Sequence, residues 1–128
     1  MKTARWIIGL VVLTISLCLV ACDGYSPTRE KALVDNVEIQ MVPGAPSQYT
    51  AVVTGQFPDT CTRMGRTRQV QMLSTIKVTM YAVRPEGVDC PPIPRPFKEK
   101  VRLDVSGLAA GSYAVEVNGV TSSLTVGP

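Results

Sequence analysis

From Leu33 onward, apolar and polar residues alternate with a period of two. That period sets successive side chains on opposite faces of a strand. Val37, Ile39 and Met41 share one face of a first predicted strand, and Tyr49, Ala51 and Val53 one face of a second. Val70 and Met72 mark a third, and Ile76, Val78, Met80 and Ala82 a fourth. Val101, Leu103 and Val105 follow, then Tyr113, Val115 and Val117, and last Val120, Leu124 and Val126. No window carries apolar residues at i, i+3, i+4 and i+7, so no amphipathic helix is predicted. Pro43-Gly44, Phe57-Pro58-Asp59, Arg84-Pro85-Glu86-Gly87 and Gly107 punctuate the runs as turns. Asn118-Gly119 is the strongest hairpin signal, because both central positions of a type I′ turn need positive φ. Seven short strands with frequent turns predict an all-β sandwich over residues 33–128.

The stretch from Leu103 to Val117 contains Gly107-Leu108-Ala109-Ala110-Gly111-Ser112-Tyr113. It resembles the passage between strands E and F of fibronectin type III and related immunoglobulin-like domains. The resemblance implies an immunoglobulin-like sandwich in which Leu108 plugs the core and the Tyr113 hydroxyl bonds nearby backbone. It carries no functional residues.

The N-terminus has a different pattern. Lys2 and Arg5 precede an uncharged run from Trp6 to Val20. That run suits a signal-peptide core and is short for a membrane-spanning helix, which needs about 20 residues. It ends in Leu19-Val20-Ala21-Cys22, which resembles the bacterial lipobox. The resemblance implies a signal peptide over 1–21 and lipidation of the Cys22 sulfur, with a diacylglyceryl group and then acylation such as palmitate. The chain would then sit at the outer face of the cytoplasmic membrane, on its periplasmic or extracellular side. Residues 22–32 read as the lipid anchor and its tether. Across its length the chain is similar to small bacterial lipoproteins with a Phe-Pro-Asp-x-Cys loop and a late Cys-Pro loop.

This reading changes the composition. The 13 basic residues lose Lys2 and Arg5, leaving 11 against 10 acidic, so the formal +3 becomes about +1. The single Trp, Trp6, leaves too, so the core Trp of antibody domains is missing. Of four cysteines, Cys18 departs and Cys22 carries lipid. An exported chain permits a disulfide, and Cys61 with Cys90 is the one pair remaining. Their alternative is a redox or metal pair, for which a Cys-x-x-Cys and a third ligand are missing.

With no His, Ser-His-Asp and Cys-His catalysis and imidazole zinc sites are excluded. No phosphate loop, dinucleotide fingerprint, nucleophile elbow or calcium loop occurs. No catalytic residue, metal or cofactor is predicted. A carboxylate pair from Asp59 and Asp89 is the nearest approach to an envelope hydrolase.

Two segments read as long loops, Gln56 to Thr67 and Arg84 to Lys98, tied by the proposed disulfide. Phe57, Arg63, Arg66, Arg68, Arg95 and Phe97 are the candidate binding residues there. Prolines 91, 92, 94 and 96 are expected to hold the second loop extended. On the competing reading the prolines protect an edge strand and the two phenylalanines cap the core. The basic cluster suits phosphate or an acidic surface. Near-neutral charge and the lack of interleaved aromatics argue against nucleic acid. The resulting expectation is a non-catalytic binding module of the cell envelope with a protein partner. The alternative is a protease-inhibitor-like module using the Pro-rich loop.

Overall fold

The computed structural model describes residues 27–128. The signal segment and Cys22 lie outside the described residues. Eight strands form: β1 (Thr28–Lys31), β2 (Leu33–Val42), β3 (Gln48–Phe57), β4 (Arg63–Met72), β5 (Thr75–Arg84), β6 (Arg95–Arg102), β7 (Gly111–Val117) and β8 (Val120–Val126). One sheet has the order β2-β3-β6; the other contains β1, β4, β5, β7 and β8. The two pack face to face as a β-sandwich.

The inner faces follow from the alternation. Ile76, Val78, Met80 and Ala82 of β5 are buried, with Val115 and Val117 of β7 and Leu124 and Val126 of β8. Tyr49, Ala51 and Val53 of β3 and Val101 of β6 meet them from the other sheet. Leu108 packs half-buried against this core. The Tyr113 hydroxyl donates to the Ala109 carbonyl at 2.8 Å.

β5 organises its sheet. β4 pairs with it along its whole length, from Met72↔Thr75 to Arg63↔Val83. The opposite edge is divided: β7 runs parallel beside Thr75–Val78 and β1 runs antiparallel beside Tyr81–Arg84. The parallel pair is possible because the connection from β5 to β7 passes through β6 in the opposite sheet. Among the described residues the other strand pairs are antiparallel.

At the division, Asn118 fills the gap. Its Nδ2 donates to the carbonyls of Ala32 and Met80, both at 2.8 Å, and its Oδ1 accepts from Met80 N at 3.0 Å. Asn118 also starts the β7–β8 turn with φ +46°, followed by Gly119 at +96°. Both values lie in the left-handed region that Asn and Gly tolerate.

Three differences from the sequence reading have physical causes. The tether expected to reach residue 32 ends sooner, because Thr28–Lys31 form β1. Thr-Arg-Glu-Lys has no apolar alternation and is held by backbone pairing to β5. The chain then crosses between sheets at Ala32, a small residue that fits the buried switch point. Second, the loop expected over Gln56 to Thr67 shrinks to 58–62, since β3 runs to Phe57 and β4 begins at Arg63. Third, Val70 and Met72 face solvent, 42% and 56% exposed. A bulge between Met64 and Thr67 sets three steps of β4 against two of β5, and a one-residue slip exchanges the faces. Gly65 permits this close approach, since a Cβ there would stand 2.5 Å from Val83 Cγ2.

Candidate functional site

The disulfide end of the sandwich is a structural knot. Cys61 and Cys90 are bonded, with Cα atoms 5.6 Å apart. Thr60 N donates to Pro91 O at 3.3 Å, so backbone joins the same two loops. Ile93 N donates to Pro91 O at 2.8 Å, which turns the chain at Pro92, whereas Pro96 lies extended in β6. Phe57 and Phe97, expected among the binding residues, are only 7% and 8% exposed. Their rings stack with centroids 4.8 Å apart and close the end of the core. Gly55 makes room for them. A Cβ on it would lie 2.6 Å from the Phe97 ring and 2.0 Å from the Leu33 carbonyl oxygen.

Arg95 is likewise committed. Its Nη2 donates to Thr62 O at 2.7 Å, its Nε to Asp59 O at 3.5 Å, and its guanidinium lies over Phe57. Asp59 is buried. Its Oδ1 accepts from Cys61 N, Thr62 N and Thr62 Oγ1, and its Oδ2 stands 3.3 Å from Arg84 Nε. Asp59, Cys61 and Cys90 lie close enough together to suggest a metal group. However, both sulfurs are consumed by the disulfide, and three donors fill one carboxylate oxygen.

Burial pushes the Asp59 carboxyl upward. The hydrogen bonds from Thr62 and Cys61 and the charge of Arg84 together outweigh it, leaving the group below its ordinary 3.8. A depressed carboxyl stabilises the fold above the unfolded value and loses that contribution as pH falls through the folded one. Acid unfolding below pH 3.8 is therefore expected to draw on Asp59. Exposed Asp104, lowered by bonds from the Ser106 side chain and backbone, adds to the same limb. In Asp59→Asn, melting temperature against pH flattens over that range. An unchanged acid limb would contradict this assignment.

The free cations gather elsewhere, on the outer face of the five-stranded sheet. Arg63, Arg66 and Arg68 are exposed on β4, not on a loop. Arg29 and Lys31 of β1 stand opposite Val83 and Tyr81 of β5, and partners in register share a face. Arg29, Arg66, Arg68, Tyr81 and Val83 line a shallow depression of about 570 Å³. Lys77, further along β5, stands 3.7 Å from Glu116 of β7. Among the described residues no carboxylate lies within ion-pair distance of Arg29, Arg63, Arg66 or Arg68. Six cations and one acid among the described residues thus share this face of a chain whose formal charge is only +3. Low competition from carboxylates leaves the guanidiniums available to bidentate anions such as phosphate.

Arg63, Arg66 and Arg68 were legible in the sequence as a cluster. Arg29, Lys31, Tyr81 and Val83 were not, because only strand pairing sets residues 81–83 beside β4 and residues 29–31 on the other side of β5. The structure joins Arg66 and Arg68 to these and leaves Phe57, Arg95 and Phe97 in the knot at the sandwich end.

No curated protein and no solved structure matches the chain. A family model described as the ORF11 beta-sandwich domain matches residues 51–126. The match runs from within β3 to the end of β8, more than half of the chain, and takes in strands of both sheets and both disulfide cysteines. The chain therefore belongs to the ORF11 beta-sandwich domain family.

Proposed function

We propose that the chain is a lipid-anchored, non-catalytic binding module of a bacterial cell envelope that docks through the basic face of its five-stranded sheet. The observation carrying this reading is the group of exposed guanidiniums on β1 and β4 with no carboxylate within ion-pair distance among the described residues. The lipobox-like Leu19-Val20-Ala21-Cys22 supports the anchor. The Cys61–Cys90 bond suits an exported chain. The phenylalanines and Arg95, engaged in the knot, position the sheet and are not the binding surface. Two acyl chains on Cys22 satisfy the need for two membrane signals.

The test separates anchor from face. Cys22→Ser is expected to move the protein from the membrane to the soluble envelope fraction, with an unmodified N-terminal mass. Retention in the membrane with an uncleaved N-terminus would refute the anchor. Arg66→Glu with Arg68→Glu is expected to leave the melting temperature unchanged and to weaken in-cell cross-linking to the docking partner at least about tenfold. Unchanged cross-linking would refute the face.

A further inference from the structure

We infer that the basic face rests on an anionic phospholipid bilayer, with Arg29, Arg66 and Arg68 holding headgroup phosphates around Tyr81. The choice of partner rests on the anchoring proposed above; the chemistry rests on the face itself. Cations alone suit any polyanion. Here the same outer face of β4 continues from Arg63, Arg66 and Arg68 into exposed Val70 and Met72. The turn that follows carries Leu73, wholly exposed and held at φ +30°. That conformation is ordinarily given to Gly or Asn. A water-soluble acidic polymer satisfies the guanidiniums and leaves this apolar end in water. A bilayer surface satisfies both, because phosphates overlie the acyl boundary within the depth of one side chain. Arg stems lying along the sheet with their heads in the phosphate layer, and Tyr81 between them, match that layering.

Chain length favours a flat pose. Five residues separate Cys22 from Thr28, so an anchored Cys22 keeps the start of β1 within about 20 Å of the lipid. β1 itself brings Arg29 and Lys31 into the face. Thr28 pairs with Arg84, whereas Met72 pairs with Thr75, so the tether and the apolar hairpin lie at opposite ends of β5. An end-on domain would hold that hairpin about 30 Å from the headgroups, far beyond the screening length of about 8 Å. Lying flat, the domain engages both ends and every cation between them.

The test uses the chain as recovered from the membranes of cells expressing it, placed in lipid nanodiscs, with Trp6→Phe and Tyr81→Trp making position 81 the sole Trp whether or not residues 1–21 have been removed. Discs contain headgroup-spin-labelled lipid in phosphatidylcholine, with or without phosphatidylglycerol. Trp fluorescence is expected to be quenched in the phosphatidylglycerol discs. Raised salt, or Arg29→Glu with Arg66→Glu and Arg68→Glu, is expected to reduce this quenching at least about fivefold. Lys98→Glu with Lys100→Glu, on the opposite sheet, is expected to leave it unchanged. A chain that stays on the discs without phosphatidylglycerol-dependent quenching overturns the inference and spares the anchor, as does capture of the same face by an acidic protein in place of lipid. A chain that washes off both kinds of disc refutes the anchor. The same reporter on free vesicles then decides the inference, which fails if phosphatidylglycerol vesicles do not quench it. Matching melting temperatures of parent and charge-reversed chains keep misfolding from imitating either result.

Discussion

Asn118→Ala is expected to destabilise the domain by about 3–5 kcal/mol, a large share of the 5–15 kcal/mol that such domains retain. The side chain closes two donors and one acceptor against Ala32 O, Met80 O and Met80 N. These backbone groups sit where β1 has ended and β7 turns away; Met80 O also accepts from Ala32 N at 2.9 Å, while Asn118 serves Ala32 O and Met80 N. Truncation leaves all three without their Asn118 partner in a partly buried gap. It also places Ala at φ +46°, which adds about 1 kcal/mol. Two further variants separate these contributions. Asn118→Gly keeps the turn and loses the bonds, so it is expected to recover only about 1 kcal/mol relative to Ala. Asn118→Asp keeps an acceptor but turns a carboxylate toward two carbonyls, and is expected to be at least as damaging as Ala. Urea unfolding midpoints compare the three. A Gly variant within about 0.5 kcal/mol of the parent, with Ala lower only by the about 1 kcal/mol of its positive φ, would show that the bridge adds nothing.

The second large effect is expected from Cys61→Ala with Cys90→Ala. The bond closes a segment with a sequence separation of 29. The chain-entropy account assigns such a closure about 3–4 kcal/mol, through the unfolded state. The folded knot keeps other ties: Asp59 to Thr62, Arg95 to Thr62 O, and Thr60 N to Pro91 O. Amide chemical shifts are therefore expected to change only near residues 58–62 and 88–95, while the denaturation midpoint falls sharply. Reduction of the parent chain is expected to reproduce that midpoint. Shifts spreading through Val78 and Val115, in the core, would show that the bond organises the sandwich itself.

The inner faces were legible because alternation reports burial directly. Ile76, Val78, Met80 and Ala82 read as one face and are one face. Val70 and Met72 carried the same signal and point outward, because the extra residue at Gly65–Arg66 reverses the register downstream. β1 carried no signal, since its four exposed residues depend on β5 for their pairing. Asn118 was legible as a turn residue but not as a bridge. Its partners lie 38 and 86 residues away in sequence. Beyond the Arg63, Arg66 and Arg68 cluster, the extent of the basic face was hidden for a similar reason. A chain with a formal charge of only +3 shows no such concentration until pairing draws residues from β1, β4 and β5 onto one surface. Arg84 and Arg95 go instead to the knot.

The divided edge of β5 also has a mechanical consequence. β1 is both the first strand of the sheet and the point where the N-terminal segment enters the fold. Its four register pairs with β5 lie across the strand axis. A pull along β1 from the N-terminus loads those pairs in shear, all at once, instead of unzipping them singly. The short strand thus acts as a strain relief between the N-terminal segment and the packed sheets, and Asn118, bonded to Ala32 at its far end, is the pin that holds it.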